Sequence, residues 1–327
     1  MTCPRSLDPS PSLTSANLPL SPVRHARPGW MTDLFMLAAA LIWGTTFVAQ
    51  HLGMAGVGPF TYTGTRFLLG ALIVLPFWHW RPAWLGQPLS PSPAAPRGAL
   101  DRLPLAGLLL GLVLFAGVNA QQVGLLGTTV SNAGFITGLY VVIVPFALLG
   151  MGERLAGSLW AAVGLATVGL YLLSVKADFS VAPGDWLQLV SAFIWAAHVV
   201  LVGVLARRHD PLRLAIAQYL VCGGLSLAWG LYAEPLSAAG LLQAAPAIIY
   251  GGALSVGVAY TLQVVAQKTA IASHAAIIYS SEGLFSALAG WAVLGESLGL
   301  RGITGGALML AAMLLAQWKR VPEPEPH

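Results

Sequence analysis

Apolar positions run for about twenty residues at a time along this chain, at 34–50, 60–80, 104–123, 130–150, 155–175, 186–206, 212–232, 246–266, 272–294 and 299–317. Each run is close to the ~20 helical residues that cross a hydrocarbon core. The pattern predicts ten membrane-spanning helices and an all-α integral membrane fold. Several runs contain Gly, Pro or polar residues, which spanning helices tolerate when their neighbours satisfy the freed backbone groups. The pattern also repeats. Residues 33–43 (DLFMLAAALIW) return at 185–195 (DWLQLVSAFIW), identical at five of eleven positions. The same offset of 152 pairs Pro59 with Pro211, and an offset of 143 pairs Gly152-Glu153 with Gly295-Glu296. The nine-residue change falls on a Pro-rich stretch at 81–103, read as a loop insertion in the first copy.

Composition excludes a soluble domain: 57% of the 327 residues are hydrophobic and 9% charged, against the ~25% charge usual in soluble proteins. Residues 1–30, with six prolines and no continuous apolar segment, read as a disordered cytoplasmic tail without the pattern of a cleavable signal peptide. Residues 319–327 read as a second short cytoplasmic tail. Cys3 and Cys222 are the only cysteines, one in the tail and one in an apolar helix, so no disulfide framework is implied.

The net charge of +4 sorts by loop and not into a nucleic-acid-binding stripe. With the N-terminus inside, thirteen basic residues are cytoplasmic: Arg5, Arg24, Arg27, Arg81, Arg97, Arg102, Arg154, Arg207, Arg208, Arg213, Lys268, Lys319 and Arg320. Lys176 and Arg301 lie on the opposite side, and Arg66 lies inside a helix. That imbalance fits the positive-inside rule with both termini cytoplasmic in the inner (plasma) membrane. Each copy, 31–175 and 184–318, holds five helices, an odd number, so the two enter the membrane in opposite senses as inverted-topology repeats.

These residues resemble the EamA-type carriers of the drug/metabolite transporter superfamily. The resemblance covers nearly all of 31–318. It rests on helix 1 ending in Ile42-Trp43, on Pro59 followed by Arg66, on NAGFITGLYVVIVPFALLGMGERL at 132–155 and on SSEGLFSALAGWAVLGESL at 280–298. It implies ten helices in two five-helix repeats and export of amino-acid-like metabolites or drugs, with proton influx as a coupling reaction. Relatives often carry Glu-Pro in helix 9, whereas this chain has Glu282-Gly283, keeping the acid without the proline kink.

Glu282 lies about ten residues, or roughly 15 Å, into helix 9, near the bilayer centre, where a carboxylate costs at least ~2.5 kcal/mol. It must face a wet cavity, pair with a cation or be protonated. Tyr279, Glu282 and Ser286 form one polar stripe at helical spacing and are the candidate pocket wall; the alternative is a packing role. Arg66 is a candidate for an anionic group, or for an ion pair with Glu282. Its counterpart is Gln218, while that of Glu282 is Leu139, so the two copies differ at both positions.

Trp43 and Trp195 sit at mid-membrane depth as repeat-related walls or as packing, while Asp33 and Asp185 fall in first turns as helix caps. Asn119, Gln121, Gln122, Asn132, Tyr140 and Gln263 supply further polar groups for substrate or for helix contacts. His198 reads as a packing histidine before a proton relay. Glu153 and Glu296 read as caps of helices 5 and 10. Gly107-xxx-Gly111, Gly134-xxx-Gly138 and Gly302-xxx-Gly306 permit close helix approach, the last also a homodimer of an otherwise monomeric protein.

The function expected is a secondary carrier for a small-molecule substrate in the lipid bilayer, with an uncoupled facilitator as the alternative. An intramembrane enzyme would need a catalytic constellation, and the chain has no HExxH or GxSxG. ATP-driven transport would need a phosphate-cradling GxxxxGK[ST] loop, also absent. No cofactor, metal or nucleic-acid partner is expected.

Overall fold

The computed structural model describes residues 29–80, 99–153, 155–174, 182–297 and 299–318, apart from the side chains of 173–174 and 316–318. Residues 1–28 and 319–327, most of the Pro-rich loop, and Arg5, Arg24, Arg27, Arg81, Arg97, Arg154, Lys176, Lys319 and Arg320 lie outside the described residues, while Gly29 and Trp30, expected in the N-terminal tail, already belong to the first helix.

Among the described residues the fold is all-helical. We number the rods α1 (Gly29–Gly53), α2 (Pro59–His79), α3 (Leu103–Gly127), α4 (Val130–Gly150), α5 (Gly157–Ser174), α6 (Pro183–Leu205), α7 (Pro211–Ala233), α8 (Ala238–Gln267), α9 (Ala272–Leu294) and α10 (Leu300–Trp318). Eight are long and apolar enough to cross a membrane, and α5 and α10 are shorter in their described apolar stretches, Gly157–Leu172 and Leu300–Leu315. Leu72, Phe193, Ile249 and Val293 are more than half exposed, as expected where lipid replaces water as solvent.

Local chemistry sets the starts. Pro59 and Pro211 each open a helix, a position where the missing N–H and fixed φ of proline cost nothing. Asp210 caps α7 through the Arg213 N–H at 3.1 Å. Asp185 accepts from the Ala182 N–H at 2.8 Å and from the Thr128 hydroxyl, capping α6 as its first-turn position suggests. Helix α1 begins at Gly29, so Asp33 falls beyond its first turn, and its carboxylate holds His274 Nε2 at 2.9 Å. Helix α8 starts at Ala238, eight residues before the apolar run, because Ser237 caps it through the Gly240 N–H and Pro246 is carried inside the helix.

Glu296 is not a cap of the helix it precedes. Its carboxylate accepts from the Val130 and Ser131 N–H groups at 3.1 and 3.2 Å, and from the Ser131 hydroxyl, so it caps α4 across the fold. Glu234 does the same for α2, accepting from Phe60 and Thr61 N–H at 2.9 and 2.8 Å. Gly290 makes room for the first of these, since a Cβ there would lie 2.7 Å from Glu296 Oε2. Glu153 is exposed and caps nothing among the described residues.

The helices pair as α2 with α7, α3 with α6 and α7, and α5 with α10, while the second half of α9 lies between α1 and α4. Three rods are irregular near mid-length. Helix α4 breaks at Leu139, and α9 breaks at Ser280 and Ser281. The serine hydroxyls bond back to Ile277 and Ile278 carbonyls, and the Gly283 N–H reaches only to Ser280 O at 3.1 Å, a tightened turn. The break therefore forms with glycine, not proline, after Glu282. Helix α8 runs as a π-helix over Gly251–Tyr260, an irregularity that often marks functional sites.

Candidate functional site

The three irregular segments converge. A cavity lies among them, lined by Trp43, Phe47 and Gln50 of α1, Gln121 of α3, Thr137 and Tyr140 of α4, Trp195 and Val199 of α6, Ser255, Tyr260 and Gln263 of α8, and Tyr279 and Glu282 of α9. Break and π-turn each re-aim a helix, so that Tyr140, Tyr260, Tyr279 and Glu282 face one another instead of following a single straight stripe.

Seven of the sequence candidates reach this wall: Glu282, Tyr279, Tyr140, Trp43, Trp195, Gln121 and Gln263. Asn132 does not, and neither do four others. Ser286 belongs to the packing of α9 on α4: its hydroxyl donates to Val130 O at 2.8 Å, and the break between Tyr279 and Glu282 ends the stripe that joined them. Asn119 ties α3 to α7, its amide donating to Ser226 Oγ and Phe115 O, both at 2.8 Å. Gln122 is fully buried off the cavity with neither amide atom partnered. Its neighbour Gln121 lines the cavity instead, because consecutive residues diverge by about 100° around a helix.

Arg66 is the fourth. It is 1% exposed, and none of its three guanidinium nitrogens has a hydrogen-bond partner among the described residues. Its guanidinium lies over the rings of Phe67 and Tyr62, 5.0 and 5.5 Å from their centroids. Tyr260 stands between this cation and the cavity, touching the Phe67 ring on one side and those of Trp43 and Trp195 on the other, at 5.6, 4.8 and 6.0 Å. The expected Arg66–Glu282 pair therefore does not form. His198, buried behind Trp195, bonds Gln218 Oε1 at 2.9 Å, the arrangement of a packing histidine.

Glu282 is partnered within the site by a hydrogen bond with the Tyr140 hydroxyl. Gln121 continues the polar wall, donating to Thr137 Oγ1 at 3.0 Å and accepting at its backbone oxygen from Gln188 Nε2 at 2.8 Å. Five polar atoms of the lining are buried with no partner among the described residues: Trp43 Nε1, Trp195 Nε1, Tyr279 Oη, Gln50 Oε1 and Gln263 Oε1. Such groups are costly unless satisfied, and here all five belong to residues that line the cavity. Phe47, Gln50, Thr137, Val199, Ser255 and Tyr260 carried no signal in the sequence apart from ordinary helix composition. Among the described residues no group of three or more His, Cys, Asp or Glu side chains could hold a metal ion.

Comparison with known proteins places this geometry. The model of the EamA-like transporter family matches residues 30–175 and again 182–318. Two proteins of Archaeoglobus fulgidus, each called an uncharacterized transporter, are similar along most of their length. One is 29% identical over 290 residues, covering 86% of this chain and 84% of that protein. The other is 25% identical over 304 residues, covering 88% and 98%. A crystal structure of a protein 21% identical to this chain superposes with a TM-score of 0.69, covering 88% of this chain and 96% of that one, a likeness of fold alone. With both halves matched by one family model, and with apolar helices that would span a bilayer around a polar cavity, the chain belongs to the EamA-like transporter family of the drug/metabolite transporter superfamily.

Proposed function

We propose that the protein is a secondary carrier that moves a small polar or amphipathic metabolite across the cytoplasmic membrane by alternating access, with the cavity as its transport site. One observation carries this reading. The wall is shared almost equally, six lining residues coming from the first half and seven from the second, and Trp43 and Trp195, 152 positions apart, both face it. A polar site between two similar halves is the arrangement that rocking carriers use.

In this reading α1–α10 are ten spans forming two inverted five-helix repeats, 31–175 and 184–318, with both termini cytoplasmic. Basic connections gather in support of that orientation: Arg208 lies 3.5 Å from Asp101, and Arg207 reaches the Ala270 carbonyl. Arg301 lies over Tyr171 at the expected opposite side. The turn glutamates give the halves their asymmetry. Glu296 holds the start of α4 while Glu153, its counterpart, is exposed, and rocking exchanges which of the two is engaged.

Export against proton influx is the direction and coupling we assign, with Glu282 as the group that either takes a proton or meets the substrate. Proteoliposomes with an imposed pH gradient test this. Wild type accumulates substrate in response to the gradient, and Glu282→Gln loses that response; a variant with unchanged pH dependence removes Glu282 as the coupling group.

A further inference from the structure

We infer that the cavity is selective for small organic cations, an ammonium group seating against Glu282 within a cage made by Trp43, Tyr140, Trp195, Tyr260 and Tyr279. The inference rests on reading the cavity as the transport site and adds the chemistry of what it takes. Three observations point the same way.

The first is the sign of the charge. Among the described residues, Glu282 is the only Asp, Glu, Lys, Arg or His in the lining. The one cation that the sequence brings near, Arg66, is kept out of the wall by the Tyr260 ring and directed at Phe67 and Tyr62. A zwitterion or an anion would bring its carboxylate into a site with no cationic side chain and one carboxyl group. It would gain only neutral donors, the indole N–H groups of Trp43 and Trp195 and the Tyr279 hydroxyl. An ammonium group meets an opposite charge.

The second is the aromatic wall. The Trp43 ring centroid lies 4.8 Å from that of Tyr260 and 5.3 Å from that of Tyr279, at interplanar angles of 55° and 60°. Trp195 stacks on Tyr260 at 23°. The rings pack on one another in tilted, edge-to-face and stacked pairs around the lining, and an alkylammonium group is attracted to aromatic faces at such a wall. The third is the set of unpartnered acceptors, Gln50 Oε1 and Gln263 Oε1, which suits a ligand that donates N–H bonds. The unpartnered donors are met by a neutral acceptor on the same ligand, such as a hydroxyl or amide.

The test is binding by purified full-length protein in detergent, read from intrinsic tryptophan fluorescence, since Trp43 and Trp195 are in the wall. Four probes of like shape are compared: phenyltrimethylammonium, its uncharged isostere tert-butylbenzene, the zwitterion phenylalanine and the anion benzoate. The cation is expected to bind at least about tenfold tighter than any of the others. Glu282→Gln abolishes that preference, while Glu282→Asp, which keeps the charge, retains it and controls for folding. Preferred binding of phenylalanine or benzoate overturns the cation assignment and leaves the carrier reading standing. Absence of binding by all four, in protein that is monodisperse and transports in proteoliposomes, overturns this cavity as the cation site without touching the transport activity itself.

Discussion

Gly44 of α1 packs directly on the backbone of Glu282: a Cβ on Gly44 would lie 2.7 Å from the Glu282 carbonyl oxygen and 2.4 Å from the Phe285 Cβ. Only a residue without a side chain lets α1 approach the α9 break this closely, and the approach holds Glu282 beside Trp43. Gly44→Ala is therefore expected to cost ~1–3 kcal/mol through overpacking and to impair transport. Gly224, with nothing within 4 Å of its would-be Cβ, supplies the contrast. Gly224→Ala leaves the melting temperature unchanged or raises it, because alanine is the better helix former.

Glu296 satisfies two backbone donors and a hydroxyl at the start of α4. Losing a charged cap of that kind typically costs ~0.5–2 kcal/mol. Glu296→Ala should lower thermal stability by that order and speed hydrogen exchange at Val130 and Ser131. Glu153→Ala, at an exposed position, should remain within about 0.5 kcal/mol of wild type. Equal effects at the two glutamates would show that the asymmetry between the halves is not as described.

Arg66 is a buried cation with no hydrogen-bonded partner among the described side chains. Aromatic faces recover only ~0.5–2 kcal/mol of the cost of burying it, and removing uncompensated buried charge in favour of an apolar side chain of similar volume is often neutral or stabilising. Arg66→Met is expected to hold or raise the melting temperature. A fall of several degrees would mean that the guanidinium is satisfied by something other than the described side chains.

Gln121 and Gln122 separate recognition from packing. Gln121 lines the cavity and bonds Thr137, so Gln121→Ala should raise the KM for transported substrate with little change in stability. Gln122 lies off the cavity with both amide atoms unpartnered. Gln122→Leu should leave KM unchanged and be neutral or stabilising, since it removes an unsatisfied buried amide. Transport assays alongside thermal unfolding distinguish the pair.

The helices were legible because hydrocarbon imposes a length and an apolar composition on anything that crosses it. Helix starts were readable where proline or a local acid set them, at Pro59, Asp185 and Pro211. The start of α8 was not, because Ala238–Ala245 is held by Ser237 outside the most apolar window. The midpoint breaks were hidden for a related reason. Ser280 and Ser281 are compatible with a continuous helix, and only their bonds back to Ile277 and Ile278 show that α9 turns there. Tyr279 and Glu282 reached the cavity while Ser286, on the expected stripe with them, was carried onto α4.

The sequence by itself determined a membrane-embedded, helical chain with a duplicated pattern, since hydropathy and repeat spacing are properties of the chain that no folding step can alter. Tertiary structure decided which polar groups meet. Arg66 and Glu282, the two charges expected deepest in the bundle, are kept apart by the Tyr260 ring, and Glu296 holds α4 instead of its own helix. The reason is physical: a residue's depth follows from its distance along a helix, but its bearing follows from how that helix is rotated, broken and packed. Bearing, not depth, leaves a lone carboxyl group among aromatic rings.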